Sequence, residues 1–598
     1  MSAPVIACLL MSGSVAFAQQ SPQAPAPIRV RVAMVPVDVR IVDRQGNPVT
    51  DLKQEDFTLL EDGVPQDIRH FSTQALAADP AARDAELLRR RAPGADVATA
   101  NKRVFLVMLG RGRHQAVVGG VDALSAFVRE RLLPQDRIAV MAWNRATAFT
   151  TDHALIARTV ARYGQGAEAI ESDLKQWFSG LRAIYGSKDI PAQIQRRIDT
   201  VFAEPGSPRP REITPGQITE AARLRDDTRR TADDLMTSKI AGERPPDSAL
   251  MPATSADRTA ELTGIDFETY VSQATETFQD LGALYAGIEY LRHLDGEKHL
   301  VLFTEKGLRL SRREDNINLA NAASDARIAV DTIHTGGVAE APPPQFDPRG
   351  TVTGSVMLLP ESNSGASFAE GFAVEDLRTI SELTGGRATA FRKGSDALDR
   401  IDRGSRFQYL LGYFPANPSA DGTFRKLTVT VKRPGLTALY RHGFYATDQL
   451  VALDRRQFVT FGRVYQAGRY EQKIEDIKLT LKQPGAAVAK GARAFVLEMH
   501  VDLSRVTFTP ANDRHTAKLN LAVFFGDAAK AVIGETWRIL DLNVNDANRE
   551  RLVREGMPVA VTIPLPAGTR EVKIVVYDFG SDLLGTATGK IKMLGEGQ

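Results

Sequence analysis

The sequence predicts a multidomain chain built on an α/β unit, with β units before and after it. Three observations carry this reading. At 598 residues the chain is too long for one core, and about three or four domains follow. From Arg103 to Tyr445, near-continuous apolar strands are joined by helical patterns, as in a sheet covered on both faces. Strands recur with turns between them in residues 29–73, and again in 491–598 at the spacing of a β-sandwich. Acids and bases nearly balance, with 73 Asp and Glu against 75 Lys and Arg, so charge makes no case for nucleic acid or an anionic membrane.

Residues 1–18 read as a signal peptide. Pro4 to Ala18 are apolar and small, and Ala16-Phe17-Ala18 fits a cleavage site, although the basic segment that usually precedes such a run is missing. That leaves an atypical signal or a misassigned start. Val5-Ile6-Ala7-Cys8 also fits a lipoprotein box, but too few residues precede it for a normal signal. Cleavage after Ala18 removes the single cysteine, Cys8, and with it disulfides, cysteine catalysis and thiolate metal sites. The chain is therefore expected to be secreted or periplasmic, and no later apolar run is long enough to span a membrane.

Residues 19–28 are a polar linker. Ile28 to Val42 alternates apolar and polar residues, and Asp43 to Pro48 supplies a turn. Asp56–Leu60 and Gln66–Phe71 complete the small β unit, and 74–102 is a linker. Strand Val104–Leu109, helix Val121–Leu133, strand Arg137–Trp143 and a hairpin strand Ala146–Thr150 open the α/β unit. Pro134 ends that first helix. Residues 154–270 read as a helical insertion, with helices Ile170–Tyr185, Ile190–Ala203 and Gln217–Ile240. The rhythm resumes with helix Phe278–Leu294, strand His299–Thr304, helix Asn316–Arg327 and strand Ile328–Ile333. A loop over 336–372 precedes helix Val374–Leu383, which Gly385 and Gly386 cap. Strands Phe407–Tyr413 and Lys426–Val431 finish the domain near Tyr445. Residues 446–490 form a linker with a helix over Tyr465–Leu481, and strands follow at Ala494–Leu503, His515–Phe525, Met557–Ile563 and Glu571–Tyr577.

The stretch Arg103 to His114 is the natural place for a ligand, because open α/β sheets bind at the carboxyl ends of their strands. Its turn carries Arg111, Arg113 and His114 and no carboxylate. Neither a Walker loop, nor H-E-x-x-H, nor G-x-S-x-G occurs, and the histidines form no pair at ligand spacing. Asp136 and Asp331 read as caps or edge carboxylates, and Thr150-Thr151-Asp152 as a helix cap.

Several motifs together resemble the acidobacterial-type von Willebrand factor A-related family of secreted proteins. In the lead-in they are Val42-Asp43-Arg44-Gln45-Gly46-Asn47-Pro48-Val49, Asp51-Leu52 through Asp56-Phe57, and Glu61 to Gln66. Further on they are Lys298 to Thr304, Leu383-Thr384-Gly385-Gly386-Arg387 and Tyr409-Leu410-Leu411-Gly412-Tyr413. Asp421-Gly422 with Phe424-Arg425-Lys426, then Tyr440-Arg441 to Tyr445, end the match. It covers residues 30–445 apart from the helical insertion.

The resemblance implies an Ig-like β unit ahead of a Rossmann-like A-type domain, 103–445, whose first strand normally ends Asp-x-Ser-x-Ser and holds Mg²⁺. Alignment on the strand end puts Leu109, Arg111 and Arg113 at those ligand positions. An apolar side chain and two guanidiniums have no lone pair to offer, and fixed positive charge repels the ion. Glu305 stands where a second aspartate would, and one carboxylate does not hold the metal. The Mg²⁺ site is expected to be lost, with no other cofactor implied.

Two readings of the altered edge stay open. Arg111, Arg113 and His114, joined by Arg145 and Lys306, capture a carboxylate or other anion directly. Otherwise Arg111 or Arg113 pairs internally with Glu305 or Asp152. The expected function is non-enzymatic binding of a protein or cell-envelope partner. The alternatives are an envelope scaffold, or a hydrolase using Glu305 and a neighbouring histidine, for which no nucleophile–base–orienter set is present.

Overall fold

A computed structural model describes residues 34–78, 102–110, 120–177, 190–203, 211–212, 280–305, 307–308, 313–335, 364–390, 394–447, 456–483, 485–489, 491–530 and 532–594. The chain is a mixed α/β, multidomain protein. No helix among the described residues is long and apolar enough to cross a membrane.

Alternation in β1 (Val35–Val42) puts Val37, Val39 and Ile41 on one face, each at most 1 % exposed. Burying each such side chain contributes about 1.5–3 kcal/mol, so this face requires a cover. The short strands β2 (Phe57–Glu61), β3 (Val64–Gln66) and β4 (His70–Ala75) cannot supply it alone. The cover comes from the far end of the expected α/β unit.

Strand β1 pairs antiparallel with a strand at Phe407–Tyr413, which also pairs with β4. Strand β2 pairs antiparallel with Phe424–Val431. Two four-stranded sheets result, and Val37, Ile41, Leu59, Tyr409, Tyr413 and Val429 from both share one core cluster. The Tyr409 hydroxyl locks the turn between them, accepting from the Leu52 amide at 3.0 Å and donating to the Val49 carbonyl at 2.9 Å. The expected division, with a β unit ending at 73 and an α/β domain running to 445, is therefore redrawn. Residues 407–445 complete the N-terminal sheets.

The central sheet has seven strands. In chain order they are β5 (Arg103–Leu109), β6 (Arg137–Ala142), β7 (Arg145–Ala146), β8 (Arg211–Glu212), β9 (Glu297–Thr304), β10 (Ile328–His334) and β11 (Ala388–Ala390). Their spatial order is β11-β10-β9-β5-β6-β7-β8. The five from β11 to β6 run parallel, and β7 and β8 add antiparallel.

Strand β5 is buried along its whole length because both faces are covered. Phe105, Val107 and Leu109 pack with helices Gly120–Glu130, His153–Trp177, Ala192–Phe202 and Gly394–Gly404. Val104, Leu106 and Met108 pack with helices 280–291, Arg313–Asp325 and Ser364–Thr384. The last of these ends as the glycines predict: Gly385 has φ +76° and the Gly386 amide donates to the Ser381 carbonyl at 2.8 Å. A Cβ at Gly386 would lie 2.0 Å from the Val330 carbonyl oxygen, so the helix end abuts β10 directly.

Several boundaries differ from expectation. The helix expected from Ile170 begins at His153 and is one element of 25 residues. Within the expected helical insertion, Arg211–Glu212 adds a strand to the sheet. The helix expected from Val374 begins at Ser364. The expected helix Gln217–Ile240 lies outside the described residues.

Helix Arg456–Arg469 stops before the expected Leu481, because the backbone beyond it bonds to the last strand. The Ile477 amide donates to the Leu584 carbonyl at 2.9 Å, and Leu479–Leu481 pairs as a strand with Met499–Val501. The C-terminal region has a three-stranded sheet and a larger one centred on strands Arg514–Gly526, Glu571–Asp578 and Leu583–Leu594. Both contribute to one core. Helix Arg456–Arg469 covers the outer face of the larger sheet with Phe461, Val464 and Tyr465.

Candidate functional site

The carboxyl edge of the central sheet is where the sequence places a ligand. Leu109 ends β5 with its side chain in the apolar cluster, 7 % exposed. The next residue, Gly110, donates its amide to the Phe303 carbonyl at 2.8 Å. Its own carbonyl accepts from the Tyr163 hydroxyl at 3.2 Å. Burial, then the carboxylates of Glu171, Glu305 and Asp280, push the Tyr163 phenol well above its ordinary value, so it stays a neutral donor. Helix His153–Trp177 thus presses a wholly buried tyrosine against the strand end. Its ring packs against Trp143 at 5.0 Å with a tilt of 38°, and Trp143 turns the chain from β6 into β7 with φ +53°.

Arg145 follows that turn. Its Nε donates to Asp199 Oδ1 at 2.7 Å, which also accepts from Gln195 Nε2 at 2.8 Å. Asn144 Nδ2 donates to Gln195 Oε1 at 2.8 Å. Arg145 and Asn144 therefore dock helix Ala192–Phe202 onto the sheet edge. Thr147 Oγ1 accepts from the Val140 amide at 3.0 Å, and Asp152 Oδ1 accepts from the Leu155 amide at 3.0 Å, capping the long helix. Glu305 is half-buried at the end of β9. His334, level with Thr304 in the register, is 1 % exposed. Arg111, Arg113, His114 and Lys306 lie outside the described residues.

This donor set does not fit Mg²⁺, which takes oxygen ligands in near-octahedral array. Leu109, which the resemblance sets at the first ligand position, faces the core, and the Gly110 carbonyl is engaged by Tyr163. Among the described residues no group of three or more His, Cys, Asp or Glu could hold a metal ion.

At the opposite, amino edge the charge is buried, and Asp136 and Asp331, expected as caps or edge carboxylates, are both engaged there. Arg103, 0 % exposed, donates through Nη2 to Asp136 at 2.5 Å and through Nη1 to Asp402 at 2.9 Å and Ser405 at 2.8 Å. Asp136 Oδ2 also accepts from the Leu133 amide at 2.7 Å, bracing the turn between the helix, which ends at Glu130, and β6. One strand over, His299 Nδ1 bonds Asp331 at 2.7 Å, Nε2 faces Glu297 at 3.1 Å, and the ring stacks on Phe105 at 5.0 Å. Arg40 reaches in from β1, donating to the Gly385 carbonyl at 2.6 Å and lying 3.5 Å from Glu297.

The one signal for this edge was a charged residue at the head of an apolar strand, as at Arg103 and Glu297. His299, with a wholly buried side chain, offers no atom to a substrate. No family model matches the chain, and no curated protein matches it.

Proposed function

We propose that the chain is an exported, non-enzymatic binding protein whose central domain, Rossmann-like and of von Willebrand factor A type, engages a protein or cell-envelope partner without a bridging metal. The observation that carries this is Leu109: the strand end that would supply the first metal ligand instead buries an apolar side chain in the core. Five parallel strands with helices on both faces support the A-type reading. The two four-stranded sheets that clasp it support an Ig-like flanking unit, and the two C-terminal sheets with one core support a β-sandwich. Direct capture of a carboxylate or other anion then falls to Arg111, Arg113 and His114, beside Glu305 and Lys306.

The test is capture of partners from an envelope extract by the full chain from Gln19, with and without EDTA, and with Arg111 and Arg113 both changed to Ala. Capture that persists in EDTA and is lost with the arginine changes supports the proposal. Capture abolished by EDTA overturns it. A second reading, an envelope scaffold, is favoured by the pairing of Arg145 with Asp199, which commits that arginine to internal docking. A chain that captures nothing yet is required for envelope integrity would decide for the scaffold.

A further inference from the structure

A second polar site lies on the amino side of the central sheet, where the first β turn meets the last helix of the α/β unit. Asp43 shapes that turn, accepting from the Asn47 amide at 2.8 Å, while Gly46 takes φ +87°. Against it packs helix Gly394–Gly404. Between them is a cavity of about 330 Å³ lined by Arg44, Gln45, Asp396, Asp399, Arg400 and Arg403.

The arginines there have few acidic partners. Asp399 is engaged by Arg131 at 2.9 Å. Arg403 donates to the neutral Asn47 Oδ1 at 3.1 Å and to the Asp399 carbonyl at 3.3 Å. Among the described residues, Arg44 and Arg400 have no ion-pair partner. A fourth arginine, Arg387, lies behind the wall. A Cβ on Gly46 would meet its Nη1 at 3.0 Å, and one on Gly404 would meet its Nε at 3.4 Å. Its Nε and Nη2 are buried and have no acceptor among the described residues. Leaving buried donors of a charged group unmade is costly, which gives an acceptor at this position something to gain. Burial, then the like charge of Arg40, lowers the Arg387 guanidinium to about 10, against the pull of Asp331, and it remains charged at neutral pH.

A helix end accounts for part of this. Arg403 sits in the last turn of its helix, where the dipole favours cations. It does not account for Arg400, a turn earlier, or for Arg44, which comes from another element and lines the same cavity. Guanidinium forks match tetrahedral oxyanions, whose oxygens accept paired N–H groups.

We propose that this cavity binds a phosphate or sulfate group, held by Arg44, Arg400 and Arg403 with Arg387 behind them. The site is independent of the carboxyl edge, and its failure would leave the function proposed above untouched. The test is calorimetric titration of the full chain with inorganic phosphate, sodium sulfate and glycerol phosphate at low ionic strength, with chloride as the control. One saturable site per chain is expected. Tighter binding of glycerol phosphate than of inorganic phosphate would place the group on a larger ligand, and the reverse would make it the free ion.

The double change Arg44→Ala with Arg400→Ala should weaken binding at least about tenfold. Both side chains are at the surface of the cavity, so the fold should persist, which circular dichroism checks. Arg433→Ala, at an exposed arginine paired with Asp51, should leave binding unchanged. Heat matched by chloride, or affinity unaltered by the double change, would overturn the proposal.

Discussion

At the carboxyl end of β5 the last side chain is an apolar leucine and the next carbonyl is met by a neutral tyrosine. At the amino end of the same strand Arg103 is fully buried against two carboxylates. The difference lies in what each end joins. The amino-end contacts link residues far apart in the chain: Arg103 reaches Asp402, 299 positions on, and Arg40 reaches Gly385, 345 positions on. The described contacts of the carboxyl end dock the two helices that follow β7, through Tyr163 and Arg145. Buried charge here marks where distant segments meet, and it is a poor guide to where a ligand sits.

The comparison breaks most sharply at Arg103. Replacing it with Met should cost about 3–5 kcal/mol, because Asp136 and Asp402 are left as buried carboxylates without their cation. Urea denaturation measures this. A loss below about 1 kcal/mol would mean that water reaches the amino edge.

His299 comes next. Burial lowers its pKa, but the hydrogen bond and charge of Asp331, then Glu297, outweigh that and raise it. A raised folded-state pKa means the proton stabilises the fold. The contribution is whole below the unfolded value near 6.5 and is lost as pH rises through the folded value. Unfolding free energy should therefore decline above about pH 6.5, and His299→Gln should flatten that decline. An unchanged profile in the variant would show that other groups set it.

The carboxyl edge predicts a smaller effect. Asp152→Ala removes the cap of helix His153–Trp177 and should cost about 1 kcal/mol, read as a shift in the urea midpoint. A loss as large as that at Arg103 would erase the contrast between the two edges.

Much of the fold is legible in the sequence because its signals are local. Apolar runs such as Val104–Leu109 and His299–Thr304, the stop at Pro134 and the glycine cap at Gly385 each announce an element within a few residues. Strands with polar outer faces were missed. Val532–Val544 is buried over its first half and alternates over its second, and with Glu535, Arg538 and Asp541 along it the strand does not stand out by apolar content.

Of the candidate site, Leu109 as a core residue could be foreseen from its neighbours, and Asp152 as a cap from its place before a helix. The partners of Arg145 could not, since Asp199 lies 54 positions away.

The sequence by itself determined the alternation of strands and helices, the hydrophobic faces and the leucine at the end of β5. Only the tertiary structure decided that residues 407–445 close the sheets begun at Val35, and that Arg44, Arg400 and Arg403 line one cavity. Periodicity is written in neighbouring residues. Pairing across hundreds of residues is settled by which faces can bury one another, and no short window of sequence contains that choice.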